Sequence, residues 1–445
     1  MMEMIVIALF CGCLLCCLLF QASILWALTA GLCLFLFYGR KQNCSWKQLA
    51  GMILSGIRTI KNIMLVFVLI GMLTALWRAS GTIPVIICYA ARLIRPQIFI
   101  LMAFLLNCMV SVLTGTAFGT AATMGVICMM MAQAMQVNPV LAGGAVLSGI
   151  YFGDRCSPVS TSALLVSELT GTDIFVNIRN MCRTALVPFL LLCIGYAAAG
   201  FFTRGAESGT QVEAVFAREF RLHWLALLPA VVIFLLSVLR INVKKAMLAS
   251  ILLAALLCTA LQGIDILEIG KLLVFGYHAG DAELAAMLNG GGIASMCKVA
   301  AIVCISSSYA GIFKGTGLLE GAKQGIARLS RRITPYGAIL CTSVLSAMVA
   351  CNQTLTIILV DQLCRKLEPE HSRFAVELED SAVVIAPLIP WSIASAAPLA
   401  AIGAPQASLM AAGFLYLLPA WRLGTELISS SQRTAACGSD RIKRV

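Results

Sequence analysis

The residues with the clearest capacity for chemistry are carboxylates that stand beside interruptions of long apolar runs. Asp154 follows a stretch of 58 residues, 96–153, that contains no Lys, Arg, Asp or Glu, and Ser157-Pro158 comes soon after it. Proline removes a backbone donor and ends a helix, so nearby hydroxyls must satisfy the freed groups or hold an ion. A carboxylate there is typical of an ion or substrate pathway. The alternative is an interfacial pair of Asp154 with Arg155 at a helix end.

A second pair of carboxylates precedes another interrupted run. Glu379 and Asp380 are followed by Pro387 and Pro390 within an uncharged stretch of 41 residues, 381–421. Two prolines three residues apart favour a broken helix over a plain span. Glu379 could instead end a charged loop, an interpretation that suits Asp380 less well because Asp380 adjoins the apolar run.

Two further interruptions consist of hydroxyl, glycine and amide residues. Gly115 and Gly119 alternate with Ser and Thr over 111–125, and Asn352-Gln353 interrupts a later apolar run. Such residues suit a re-entrant or discontinuous helix whose freed carbonyls and hydroxyls face a wet cavity. For the first segment, simple helix packing through the two glycines is the alternative.

Membrane helices must position these residues. Of the 445 residues, 60% are hydrophobic and 12% are charged, with a mean hydropathy of +0.95. Globular domains carry about 25% charged residues. We therefore predict an all-α polytopic membrane protein with about ten to twelve membrane segments, in two inverted repeats with broken or re-entrant helices.

The net charge of +12 comes from basic residues in short loops between apolar runs. This distribution follows the positive-inside pattern and is not typical of a nucleic-acid surface. The 19 cysteines are interpreted as small hydrophobic residues. We expect no cofactor, structural metal or nucleic-acid partner. We expect a lipid bilayer around the protein, and the sequence leaves open whether two copies form a homodimer.

An internal repeat organises the chain. Residues 56–93 align without a gap with residues 292–329. The stretch before the first copy is basic and the one before the second is acidic, as an inverted repeat requires when basic loops stay cytoplasmic. We expect cytoplasmic chain ends in a bacterial-type plasma membrane. The predicted organisation is a first half at 1–203, a polar linker at 204–221, a second half at 222–423 and a basic tail at 424–445.

Five strings along the chain carry a family resemblance: TGTAFGTAATMG, SGIYFGDRCSPVS, LNGGGIASM, GIFKGTGLLE and LEDSAVVIAPLIPW. They resemble the NhaC-type sodium/proton antiporters of the wider ion-transporter superfamily, in the same order and over about residues 50 to 420. The resemblance implies alternating access around a midplane site built from paired broken helices. It places the functional carboxylates at Asp154 and Asp380, with Glu379 adjacent.

Three positions depart from the family pattern. Thr161 stands where an acidic residue is usual, Leu164 where Asn is usual, and Asn352 where Asp is usual. Each lost carboxylate removes a ligand and a counter-charge, which weakens the case for sodium. Exchange of an organic acid or amino acid, known among relatives, is therefore the alternative function.

The leading hypothesis is Na+/H+ antiport, in which a cation and a proton compete for the same carboxylate. The proton-coupling candidates are Asp154, Glu379 and Asp380. The candidate ligands for the ion or solute are Thr116, Thr120, Asp154, Ser157, Ser160, Thr161, Asn352, Gln353, Asp380 and Ser381. The expected helix breaks are at Gly115, Gly119, Pro158, Pro387 and Pro390.

Two other hypotheses remain open at this point. An anionic or zwitterionic solute could sit on half-helix N-termini near Arg155 or Lys298, coupled to protons at Asp380. An intramembrane enzyme is a remote alternative, because the sequence has no HExxH or GxSxG motif and the histidines lie far from the Ser-rich breaks. We predict a transporter and not an enzyme.

Overall fold

The computed structural model describes residues 5–6, 9–10, 12–13, 16–17, 24–93, 95–158, 160–202, 216–239, 241–280, 284–285, 288–316 and 334–442. These residues form α-helices joined by short turns and 3-10 or π segments, and the described ranges contain no β-strand. The prediction of an all-α polytopic membrane protein is confirmed.

The helices before residue 203 follow one another with short connections. They are α1 Ile24–Lys41, α2 Trp46–Thr59, α3 Lys61–Ala79, α4 Thr82–Leu93, α5 Pro96–Thr114, α6 Ala117–Thr120, α7 Val126–Ala134, α8 Pro139–Cys156, α9 Thr161–Thr170 and α10 Ile174–Phe202. A π-helical turn, Ala121–Gly125, joins α6 to α7.

The later helices are again joined by short turns. They are α11 Leu228–Val238, α12 Val243–Ala260, α13 Ile266–Phe275, α14 Cys297–Thr316, α15 Pro335–Ala350, α16 Gln353–Cys364, α17 His371–Asp380, α18 Ala382–Ile385, α19 Ile393–Ile402 and α20 Gly413–Ile442. The 3-10 segments are Trp224–Leu227, Ile293–Met296, Ala386–Leu388 and Gln406–Ala411.

Several helices are long and apolar enough to cross a bilayer. In the described part of the chain these are α5, α10, α12 and the segment Ile293–Phe313. Two bent pairs also qualify, Trp46–Arg58 with Ile63–Ala79 at 49° and His371–Leu388 with Ile393–Ile402 at 59°. The protein is a multi-pass membrane protein. The count of ten to twelve segments stays a prediction, because shorter apolar helices can each form half of a span.

The order of elements is similar in the two parts of the chain. Helix α5 ends at a left-handed residue before α6, and α15 ends in the same way before α16. Helices α8 and α9, like α17 to α19, then form a second broken unit, and a long helix with an internal proline follows each. The predicted alignment also pairs Lys61 with Cys297, the first residues of α3 and α14. The inverted relation of the halves stays a prediction.

Parts of the predicted organisation lie outside the described residues, namely 204–215 of the linker and 317–329 of the second repeat copy. Helix α20 continues without interruption from Gly413 to Ile442, so no helix boundary falls at 424.

Helices α5 and α8 pack closely against each other, because a glycine lets their two backbones meet. A Cβ at Gly149 would lie 2.6 Å from the Phe104 carbonyl oxygen and 3.0 Å from the Cys108 backbone nitrogen. Both atoms belong to the α5 backbone and cannot rotate away, so α8 is held in a fixed position against α5.

We predict that Gly149→Ala destabilises the protein by about 1–3 kcal/mol, because the added methyl overpacks a backbone contact. The matched control is Gly195→Ala on α10, where a Cβ would meet nothing within 4 Å. Thermal unfolding in detergent checks both. Equal unfolding temperatures for the two variants would contradict the close α5–α8 contact.

Candidate functional site

Four helices begin around one cavity of about 270 Å³. They are α6, α9, α16 and α19, each preceded by a polar N-cap residue in extended conformation. The cavity is lined by Ile63, Thr116, Ala117, Phe118, Tyr151, Asp154, Thr161, Asn352, Gln353, Thr354, Ile393, Ala394, Ala397 and Pro398. We call it the Asp154 cavity.

The first break follows from Gly115. Its φ of 67° ends α5 in the left-handed conformation that glycine adopts without a steric penalty. The Thr116 hydroxyl then accepts a hydrogen bond from the Gly119 backbone at 3.2 Å and caps α6. Gly119 itself lies inside α6 rather than at a break, unlike the prediction. A Cβ there would lie 2.3 Å from the Thr116 hydroxyl oxygen, so glycine is needed for the cap.

The second break lies between α8 and α9, around Pro158. Ser157 donates its hydroxyl to the Val112 carbonyl at 2.7 Å, so its side chain is committed to α5. Ser160 caps α9, with its hydroxyl accepting from the Ser162 backbone at 3.2 Å. The break predicted at Pro158 is therefore present, and it leaves Asp154 on the last turn of α8.

Asp154 is held by neutral donors alone among the described residues. One carboxylate oxygen accepts from the Ser160 hydroxyl at 3.1 Å and the Ala117 backbone at 3.4 Å. The other accepts from the Ser162 hydroxyl at 3.0 Å and the Gln353 amide at 3.4 Å. Asp154 is buried, with only 3% of its surface exposed. A carboxylate in this setting can exchange a proton for a cation without first breaking an ion pair.

The third break occurs between α15 and α16. Cys351 has a φ of 54°, which is uncommon for a residue with a side chain, and Asn352 caps α16 by accepting from the Leu355 backbone at 3.4 Å. Gln353 donates to the Val383 carbonyl at 3.0 Å as well as to Asp154. The predicted interruption at Asn352-Gln353 is present, and both side chains line the cavity.

The fourth break lies between α18 and α19. Pro387 stands in the 3-10 segment and Pro390 in the turn that follows. The Ile393 backbone N–H donates to the Cys351 carbonyl at 2.8 Å, which ties this break to the third. Both prolines therefore lie at the bend that was predicted.

Asp380 lies apart from the Asp154 cavity. Arg155, which is fully buried, donates to one of its carboxylate oxygens, and the Arg422 guanidinium lies 2.9 Å from the other. Thr184 also donates to it at 3.3 Å. The sequence grouped Asp380 with Asp154 as a cation ligand. The structure instead places it between two guanidinium groups, since a buried arginine requires a counter-charge.

Glu379 has the fewest hydrogen-bond partners of the three carboxylates among the described residues. It is 1% exposed, and neither of its oxygens has a hydrogen-bond partner among the described residues. An isolated buried carboxylate is strongly disfavoured in its charged form, so this side chain is suited to hold a proton.

The remaining candidates are divided between the cavity and its surroundings. Thr161 lines the cavity, whereas Thr120 bonds to Thr114 at 2.9 Å and Ser381 donates to the Glu377 carbonyl at 2.6 Å. Leu164 is 47% exposed and does not line the cavity. Two of the three departures from the family pattern, Thr161 and Asn352, therefore lie at the cavity.

Three residues of the site were missed from the sequence. Ser162 belongs to the same hydroxyl cluster as Ser160 and could have been included. Tyr151 lies one turn before Asp154, lines the cavity and donates to the Ala394 carbonyl. Arg422 reaches Asp380 from α20, and no local pattern indicates this contact.

Comparisons with known proteins show the family to which the sequence is similar. The model of the Na+/H+ antiporter family matches residues 149–419. The Na(+)/H(+) antiporter NhaC of Alkalihalophilus pseudofirmus is 27% identical over 395 residues, covering 86% of this chain and 85% of its own. The malate-2H(+)/Na(+)-lactate antiporter of Bacillus subtilis is 26% identical over 368 residues, covering 80% and 78%. The arginine/ornithine antiporter ArcD of Halobacterium salinarum is 26% identical over 393 residues, covering 84% and 80%.

We predict that Asp380→Asn destabilises the protein by about 3–5 kcal/mol, since it leaves the buried Arg155 without its counter-charge. Arg155→Met should destabilise the protein less, because Asp380 keeps Arg422 as a partner. The double variant should be less unstable than the sum by on the order of 0.5–3 kcal/mol. Unfolding by sodium dodecyl sulfate in mixed micelles measures these differences.

The control for that cycle is Lys47→Gln. Lys47 is an exposed residue of α2, so its replacement should change the free energy of unfolding by less than about 0.5 kcal/mol. Strictly additive effects of Arg155→Met and Asp380→Asn would show that these two charges do not interact.

Proposed function

Because the chain belongs to the Na+/H+ antiporter family and is a secondary transporter, we propose that it exchanges Na+ for H+ by alternating access at the Asp154 cavity. The observation that carries this proposal is that Asp154 is the only charged side chain among the residues that line the cavity. Its neighbours there supply neutral oxygens. A single carboxylate with neutral donors suits a monovalent cation or a proton, one at a time.

Competition at Asp154 accounts for the exchange. A proton and a cation each neutralise the same carboxylate, so binding of one expels the other. When a cation binds, the hydroxyls of Ser160 and Ser162 can rotate to present their oxygens instead of their protons. Thr116, Thr161 and Asn352 line the same space and would complete the oxygen ligands.

The other two acidic residues have different roles in this proposal. Asp380 lies between the guanidinium groups of Arg155 and Arg422 and anchors α17 to α8 and α20. Glu379 carries a proton, since it is buried without a hydrogen-bond partner in the described residues. In this proposal the cation and the proton compete at Asp154, and Glu379 delivers the proton to Asp154 and takes it away.

The membrane arrangement belongs to the same proposal. We place the chain in a bacterial-type plasma membrane with both ends in the cytoplasm, on the distribution of basic loops. The similar order of broken helices in the two parts of the chain supports an inverted repeat at 1–203 and 222–423.

A second candidate function is transport of a small organic acid or amino acid. The cavity of about 270 Å³ exceeds what one dehydrated monovalent ion fills, and four helix N-termini surround it. Helix N-termini favour a carboxylate. Two relatives have names that specify organic substrates, malate with lactate and arginine with ornithine. Such a solute would be coupled to H+ or Na+ at Asp154.

We predict that sodium collapses an imposed pH gradient in proteoliposomes that contain the protein and a trapped pH dye. Asp154→Asn should reduce the response to that of empty liposomes, because the neutral amide exchanges neither ion. Glu168→Gln is the matched control, since Glu168 lies on neighbouring α9 but does not line the cavity.

The same vesicles distinguish between the two candidate functions. Lithium and potassium test the choice of cation. Failure of every cation with folded protein, together with a response to malate, lactate or an amino acid, would reject Na+/H+ exchange and support the second candidate.

We predict that Glu379→Gln uncouples the two ions. Uptake of radioactive sodium in exchange for internal sodium should persist within about twofold, whereas the sodium-driven dye signal should fall to background. Asp154→Asn should abolish both signals. Loss of sodium self-exchange in folded Glu379→Gln would show that Glu379 belongs to the cation site instead.

A further inference from the structure

A second cavity, of about 270 Å³, lies around Arg78 at the end of α3. It is separate from the Asp154 cavity and shares none of its lining residues. We infer that this Arg78 cavity binds the carboxylate group of a short aliphatic acid, with the Arg78 guanidinium as its counter-ion.

The charge of Arg78 has no acidic partner in the described part of the chain. Its guanidinium donates one hydrogen bond, to the Thr74 carbonyl at 2.9 Å. No acidic side chain stands among the residues that line the cavity. A guanidinium carries five N–H donors in a planar fork that matches a carboxylate. Most of this donor capacity is therefore available to an anion.

A glycine loop fixes the position of Arg78. The Gly292 backbone donates to the Gly71 carbonyl at 2.8 Å, and a Cβ at Gly291 would lie 2.6 Å from the Ala75 nitrogen. A Cβ at Gly290 would lie 3.9 Å from the guanidinium. The loop is thus close-packed against α3, and no side chain stands between it and Arg78.

The rest of the cavity is mostly apolar. Val126, Met130, Met296 and Ile402 face it, and Gln133 adds an amide. Cavities that hold drug-sized ligands begin at about 300 Å³, so this one suits a small molecule. One guanidinium and an aliphatic wall together select a monocarboxylate with a short hydrocarbon body, and the fixed positive charge disfavours a metal cation.

The two cavities are neighbours along the same helices and share no lining residue. The α6–α7 segment lines the Asp154 cavity up to Phe118 and the Arg78 cavity from Val126, eight residues or about 12 Å further at 1.5 Å per residue. Helix α19 lines the Asp154 cavity up to Pro398 and the Arg78 cavity from Ala400. An anion at Arg78 therefore binds outside the proposed ion site, and the inference does not depend on Na+/H+ exchange.

Thermal unfolding of the full chain in detergent tests this site, with potassium butyrate titrated at constant ionic strength. Butyramide is the neutral probe of nearly the same shape. Butyrate should raise the unfolding temperature and butyramide should not. Arg78→Gln should weaken the apparent affinity for butyrate about tenfold or more, because a charge-assisted bidentate contact is lost. Arg78→Lys should give an intermediate affinity.

Two further variants make the test decisive. Asp154→Asn should keep the full response to butyrate, whereas Ala400→Leu, which takes up space in the Arg78 cavity and keeps the guanidinium charge, should reduce it. An unchanged response in Arg78→Gln, or in Ala400→Leu where Arg78→Gln does not fold, would overturn the inference. Loss of the response in Asp154→Asn alone would place the carboxylate in the Asp154 cavity and overturn it equally.

Discussion

The interior of a bilayer offers no water to the free backbone groups of an interrupted helix, and the residues at all four breaks answer this constraint. Thr116, Ser160, Asn352 and Ser392 each cap the helix that follows with a side-chain oxygen. The first three also bind Asp154 or line its cavity. Helix capping and the proposed ligand binding therefore depend on the same side chains, so a substitution there would alter the fold and the cavity together.

Burial of charge imposes the second constraint. Arg155 is adjacent to Asp154 in sequence, yet it extends to Asp380, Thr184 and the Met181 carbonyl. A fully buried guanidinium is tolerated only with a counter-charge and hydrogen bonds. Asp380 supplies that counter-charge, which leaves Asp154 with neutral neighbours. The pairing of Arg155 with Asp380 thus leaves the Asp154 carboxylate without an ion pair among the described residues, as the proposed exchange requires.

The sequence predicted the helical class and the positions of the breaks, because glycine, proline and hydroxyl residues within an apolar run are local signals. Gly119 was the exception, since its role depends on the Thr116 side chain one turn away. The different contacts of the acidic residues could not be predicted from the sequence. The contact of Arg155 with Asp380 spans 225 positions, and Arg422 reaches the same carboxylate from the last helix. Such pairs arise from tertiary packing and leave no periodic pattern.

The contacts of Asp154 also bear on the coupling of the proposed exchange. Its carboxylate accepts from the Ala117 backbone on one broken helix and from Gln353 on another, far along the chain. Both bonds are strongest to a charged carboxylate. In the proposed exchange, a proton would remove that charge and a cation would compete with the two donors for the carboxylate oxygens, so either one would loosen the link between the two helices. The empty, charged site holds them together, and an exchanger that moves only when occupied requires this difference.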